Sequence, residues 1–70
     1  MKLSARNVFK GKVKKVTNGA VNSEVTVELP GGLEVVSVIT KSSVESLGLK
    51  AGKEAYVIIK ATNVLLGVDE

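Results

Sequence analysis

Between Val21 and Leu29 the chain alternates without a break: Val21, Ser23, Val25, Val27 and Leu29 stand on one side, with Asn22, Glu24, Thr26 and Glu28 between them. Period two is the pattern of a strand with one face buried and one in water, so this stretch constrains the fold more than any other. The same reading extends in both directions. From Val8 to Val16, Phe9, Gly11 and Val13 share one face while Lys10, Lys12 and Lys14 share the other, giving a first strand. Thr17-Asn18-Gly19-Ala20 carries an Asn-Gly pair that tolerates positive φ, and Pro30-Gly31-Gly32 is a second turn. Two hairpins and three antiparallel strands follow. The third, Leu33 to Ile39, is apolar on both faces, with Val36 and Val38 opposite Leu33, Val35 and Ile39; Ala55 to Lys60 repeats this with Tyr56 and Ile58. A strand apolar on both faces is expected to meet another subunit. Val64 to Val68 reads as a short closing strand.

Thr40 to Leu49 breaks the alternation. Ser42 and Glu45 fit a Ser-x-x-Glu capping box, Val44 and Leu47 supply an apolar stripe, and Gly48 suits the left-handed position after a helix. The expected architecture is therefore all-β: a five-stranded OB-like barrel with one short helix between strands three and four, in a single domain over residues 1–70.

Composition narrows the function. A chain of 70 residues buries roughly 60% of the surface its unfolded form exposes, and it has no Cys to brace the fold with disulfides. Association is the remaining route to stability. Without Cys or His it also lacks the usual ligands for zinc and the usual nucleophile–base pairs, so an enzyme is not expected. No apolar run approaches the roughly 18 residues of a membrane span, and a cytoplasmic protein with no membrane partner is expected. Ten Lys and Arg against seven Asp and Glu, a formal charge of +3, suit an anionic partner. A rival reading is a small OB-type barrel that binds nucleic acid through Lys10, Lys12, Lys14 and Lys15. Phe9 and Tyr56 are too few aromatics for a base-stacking platform, and a solvated strand face that guards against edge pairing accounts for the lysines.

A tetrahedral dianion held without a metal needs converging N–H and O–H donors and positive charge. Three segments offer these. Ser4-Ala5-Arg6-Asn7 places a hydroxyl and a guanidinium on the same side of an extended chain. Thr40-Lys41-Ser42-Ser43 opens the helix, where free amides and hydroxyls face outward, although plain capping explains Thr40 or Ser42 equally. Lys60-Ala61-Thr62-Asn63 ends an apolar strand with a Lys, a residue type more often simply solvated.

Taken in order, Ser4-Ala5-Arg6-Asn7, the Val38-Ile39-Thr40 to Ser43 segment followed by Leu47-Gly48-Leu49, then Gly52-Lys53-Glu54 and Val57-Ile58-Ile59-Lys60-Ala61-Thr62-Asn63-Val64 resemble the molbindin, or Mop, domain. The resemblance covers essentially the whole chain. It implies a cytoplasmic protein that binds and stores molybdate or tungstate, without an organic cofactor. It further implies a hexamer built as a trimer of dimers with oxyanions at subunit interfaces. Related domains occur in molybdate-responsive transcription regulators and transporter ATPases, but this sequence carries neither a DNA-binding nor an ATPase segment, and a free-standing form is expected. Carried over position by position, Ser4, Arg6, Lys60 and Ala61 of one subunit would face Thr40 and Ser43 of its neighbour around one anion. Some relatives have Ser where this chain has Ala61, so position 61 offers its backbone N–H alone. A second kind of site, where three subunits meet, corresponds to Gly19, Ala20, Val21 and Asn22, a stretch that also reads as an ordinary hairpin link.

Overall fold

The computed structural model describes residues 1–69. Strand β1 (Asn7–Asn18) is followed by β2 (Asn22–Glu28), β3 (Glu34–Thr40), helix α1 (Lys41–Leu47), β4 (Glu54–Ile59) and a 3₁₀ turn (Ala61–Asn63). All pairings are antiparallel and the sheet order is β3-β2-β1-β4. The long β1 is the axis of the molecule. Its first half pairs with β4, from Asn7↔Ile59 to Lys12↔Glu54, and its second half with β2, from Lys12↔Glu28 to Asn18↔Ser23. The register with β2 shifts between Val13 and Lys15. A bulge of this kind bends a strand and raises its twist, and here it lets one strand serve two neighbours as the sheet curls. At Gly11 a Cβ would lie 2.6 Å from the Glu28 carbonyl oxygen and 2.8 Å from Val27 Cγ1, so only glycine fits the curl.

The alternation predicted for β2 fills the concave face: Ser23, Val25 and Val27 are buried, and with Val13 and Val44 they make the core. Val16, Leu29, Ile39, Leu49, Ala55 and Val57 pack against it, half-buried. Thr26, on the convex face, is buried as well. It lies in mid-strand between Lys15 and Val36, beside a hollow lined by Lys14, Lys15 and Glu34.

Several expectations are corrected. No fifth strand forms among the described residues. Val64 to Val68 pairs with nothing, Leu65, Leu66 and Val68 stand in solvent, and the barrel stays open between the outer strands β3 and β4. β1 is an interior strand, so its lysines guard no edge. They are partly paired instead: Lys10 Nζ lies 3.4 Å from Glu54 Oε2, and Lys14 donates to Glu34. That hydrogen bond and the charge behind it raise the Lys14 ammonium above its ordinary pKa. Asn18 and Gly19 both keep negative φ; the link is closed by the Gly19 amide donating to the Asn22 carbonyl at 2.8 Å. The helix cap is Thr40, whose Oγ1 accepts from the Ser43 amide at 3.1 Å, so the Ser42–Glu45 capping box is not used. Gly48 does close the helix in the left-handed region, at φ 64, and Lys53 Nζ donates to the Leu47 carbonyl at 2.6 Å.

Candidate oxyanion site

Arg6 immediately precedes β1 and Lys60 immediately follows β4. Because Asn7 pairs with Ile59, the antiparallel register sets these two cations side by side at one end of the β1–β4 pair. Asn7 Nδ2 donates to the Ile59 carbonyl at 3.3 Å and ties that end together. Beyond Lys60 the chain enters the 3₁₀ turn, in which the Asn63 amide donates to the Lys60 carbonyl at 2.8 Å and the Val64 amide to the Ala61 carbonyl at 3.3 Å. The amides of Ala61 and Thr62 open this turn, so no i→i+3 carbonyl takes them up. Among the described residues the ion pairs are Lys10–Glu54 and Lys14–Glu34; neither Arg6 nor Lys60 takes part. Two adjacent cations without a carboxylate repel one another and favour an anion between them. Ser4 is exposed in the bend just ahead of Arg6.

Thr40 and Ser43 form a second group. Thr40 ends β3 and caps α1, donating to Ser43 Oγ at 2.7 Å, with Ser42 Oγ 3.2 Å away. The stretch Gly19–Asn22 lies beside it, since Asn22 pairs with Thr40 and the Lys41 amide donates to the Val21 carbonyl at 2.8 Å. Ser23 Oγ donates to Asn18 Oδ1 at 2.8 Å and braces this hairpin from behind. Val21, expected on the buried face of β2, is instead 72% exposed at this end.

The structure thus brings Arg6, Lys60 and Ala61 together, and Thr40 with Ser43 and the Gly19–Asn22 link together. It does not join the two groups. They lie at opposite ends of β1, with roughly 35 Å of strand contour between Asn7 and Asn18, and no hydrogen bond among the described residues connects them. The supporting roles of Asn7 and of the Asn18–Ser23 pair were not legible beforehand, because each depends on a cross-strand partner that only the register reveals.

The TOBE domain matches residues 3–66 of the chain. A probable molybdenum-pterin-binding protein of Haemophilus influenzae is 49% identical over 69 residues, which span 99% of this chain and 100% of the relative. This chain belongs to the molbindin, or Mop, family. Solved molbindins have the same fold. MopII from Clostridium pasteurianum superposes with a TM-score of 0.91 at 42% identity, covering 96% of this chain and 100% of that one. The cytoplasmic molybdate-binding protein ModG, in a form with molybdate bound, superposes with a TM-score of 0.96 at 54% identity, covering 99% of this chain and 49% of the longer ModG chain. No helix of the described molbindin chain is long and apolar enough to cross a membrane, and no group of three or more Asp and Glu able to hold a metal cation occurs among the described residues.

Proposed function

We propose that this molbindin binds molybdate or tungstate in the cytoplasm, holding the anion between subunits of a homo-oligomer and serving storage and homeostasis of the metal. The observation that carries this reading is the pair of unneutralised cations, Arg6 and Lys60, set side by side next to the amides that open the 3₁₀ turn. Charge and donors there suit a tetrahedral dianion. One group alone surrounds such an ion on one side. Thr40 and Ser43, at the other end of β1, supply the missing donors only from a second copy. In the dimer Ser4, Arg6, Lys60 and the Ala61 amide of one chain face Thr40 and Ser43 of its partner. Three such dimers make a hexamer, in which the exposed Gly19–Asn22 links offer a second class of site.

Relatives carry names that pair molybdenum with a pterin. A pterin ring is held by stacking, and with Phe9 and Tyr56 as its aromatic residues this chain is better suited to the inorganic anion without an organic cofactor. Nucleic acid is not a partner in this reading, because two of the four β1 lysines already face Glu54 and Glu34.

Calorimetry of the purified oligomer with molybdate, tungstate, sulfate and phosphate tests the proposal. Molybdate and tungstate bind with defined stoichiometry, and sulfate and phosphate bind far more weakly. Equal affinities for all four would reduce the site to a generic basic surface.

A further inference from the structure

The Asn18-Gly19 pair does not make the positive-φ turn that its residue types suggest, and the contacts that hold it are chemically specific. Asn18 ends β1 in extended backbone and is exposed. Its Oδ1 accepts from the Oγ of Ser23, its cross-strand partner, at 2.8 Å, and Ser23 is 2% exposed. The Gly19 amide donates to the Asn22 carbonyl oxygen, also at 2.8 Å. A Cβ on Gly19 would lie 2.6 Å from that same oxygen, so the link requires glycine at this position. The fold thus sets a glycine directly after an exposed asparagine. The other asparagines, Asn7, Asn22 and Asn63, precede Val8, Ser23 and Val64, whose side chains crowd the amide nitrogen that follows.

We infer that Asn18 is a site of spontaneous deamidation, held off in the native link by the Ser23 and Asn22 hydrogen bonds and modified when the link opens. In the reaction the Gly19 amide nitrogen gives its proton to a solvent base and bonds to Asn18 Cγ. The Cγ–Nδ2 bond breaks, ammonia leaves with a proton from water, and a cyclic imide remains. Water then adds to the imide. Cleavage of the Cγ–N bond gives aspartate, and cleavage of the bond from the main-chain carbonyl carbon to that nitrogen gives isoaspartate. Solvent water is the sole co-reactant. Both native hydrogen bonds oppose the first step: the proton of the attacking nitrogen is committed to Asn22, and the carboxamide is fixed on Ser23 across the strand pair. Ring closure waits on opening of the link, so the rate follows the population of the opened form. Either product sets a carboxylate in the hollow that Asn18 shares with Lys41, Glu45 and Lys50, and isoaspartate adds one carbon to the main chain. The lengthened link cannot close as before, and its far end carries the Lys41–Val21 hydrogen bond and the Asn22–Thr40 pairing. An opening is in this way made permanent next to Thr40 and Ser43. The inference stands on hydrogen bonds within one chain and is independent of the anion binding proposed above.

The purified protein is incubated without anion at mildly alkaline pH, either native or in denaturant, and then digested. Mass spectrometry with fragmentation reads aspartate and isoaspartate at each asparagine. Conversion is expected at Asn18 ahead of Asn7, Asn22 and Asn63, fast in denaturant and slow in the native protein. Native Ser23→Ala is expected to convert Asn18 roughly 2- to 10-fold faster than the unmodified protein, the change in open population that loss of one ordinary hydrogen bond produces. No conversion at Asn18 in denaturant would overturn the site, and equal rates in native and denatured protein would overturn the shielding. An unchanged or lowered rate in Ser23→Ala would overturn the part given to its hydroxyl. Amide exchange followed by NMR separates a local effect from general unfolding. In Ser23→Ala the Gly19 amide should exchange faster while the amides of Val25 and Val27, in mid-strand, keep their rates. Equal acceleration at all three would show that Ser23 acts through global stability and not through the link, which contradicts the inference.

Discussion

Gly11 shows how much one residue decides in so small a core. It faces the concave side of β1 where the strand leaves β4 for β2, and an added Cβ would meet backbone at 2.6 Å. Gly11→Ala is expected to destabilise the fold by about 1–3 kcal/mol, the usual range for overpacking, read as a lower denaturant midpoint. An unchanged midpoint would mean the strands separate there without cost. The site residues carry a different expectation. Arg6→Ala and Lys60→Ala should each weaken molybdate binding roughly 10- to 100-fold, as expected for loss of a hydrogen bond to a charged group, with little change in melting temperature because both side chains are exposed. Lys and Arg side chains keep their charge across about pH 6 to 9 and the chain has no His, so affinity should be nearly flat over that interval. A steep loss between pH 6 and 8 would contradict this donor set. Lys14 lies outside the site. Its ammonium is raised mainly by the hydrogen bond to Glu34, so that interaction is present below the ordinary lysine pKa and fades as pH rises through the higher folded value. Glu34→Gln should bring the Lys14 titration, followed by NMR, back toward the ordinary lysine value while leaving anion affinity unchanged.

Helix α1 joins two roles in one side chain. Thr40 Oγ1 caps the helix through the Ser43 amide, and the same hydroxyl belongs to the proposed anion site. Thr40→Ala should cost about 1 kcal/mol as a lost cap and also weaken binding. Thr40→Asp separates the effects: it keeps a capping oxygen, so thermal stability holds, but sets a negative charge beside the anion and should abolish affinity. Full binding by Thr40→Asp would remove Thr40 from the site. How much was legible in the sequence differs by element in the same physical way. β2 was readable because its alternation is local and one face is buried within the chain. The left-handed close at Gly48 was readable because it needs no partner. Thr40 and Ser42 both stood as cap candidates, although the capping box favoured Ser42, because three hydroxyl residues lie within four positions and only backbone geometry selects Thr40. Val64 to Val68 has a strand's pattern but pairs with neither outer edge of its own sheet, so the sequence pointed to a strand that one chain does not make. The cations of the site were picked out by type and order, whereas their adjacency rests on the Asn7↔Ile59 register, which no local pattern encodes.

At the scale of the molecule, the buried apolar core is Val13, Val25, Val27 and Val44, while both outer strands and the segment after β4 hold large apolar side chains in solvent. In the proposed oligomer stability is coupled to association, so the melting temperature should rise with protein concentration, and a value independent of concentration would point to a monomer that stands alone. Molybdate at about 100 times its dissociation constant adds roughly 2.7 kcal/mol by binding the folded assembly, seen as a further rise that sulfate does not match. The central claim is that each anion site is divided between two chains, and complementation tests it most directly. Arg6→Ala damages one half of every two-fold pocket, and Thr40→Ala/Ser43→Ala the other, so neither variant binds well alone. In a mixed dimer one pocket inherits both defects and the other inherits none. Co-refolding the two variants in equal amounts makes about half of the dimers mixed, and calorimetry against the unmodified protein should then count about a quarter of the two-fold pockets restored to native affinity. No recovery on mixing would show that the site lies within one chain.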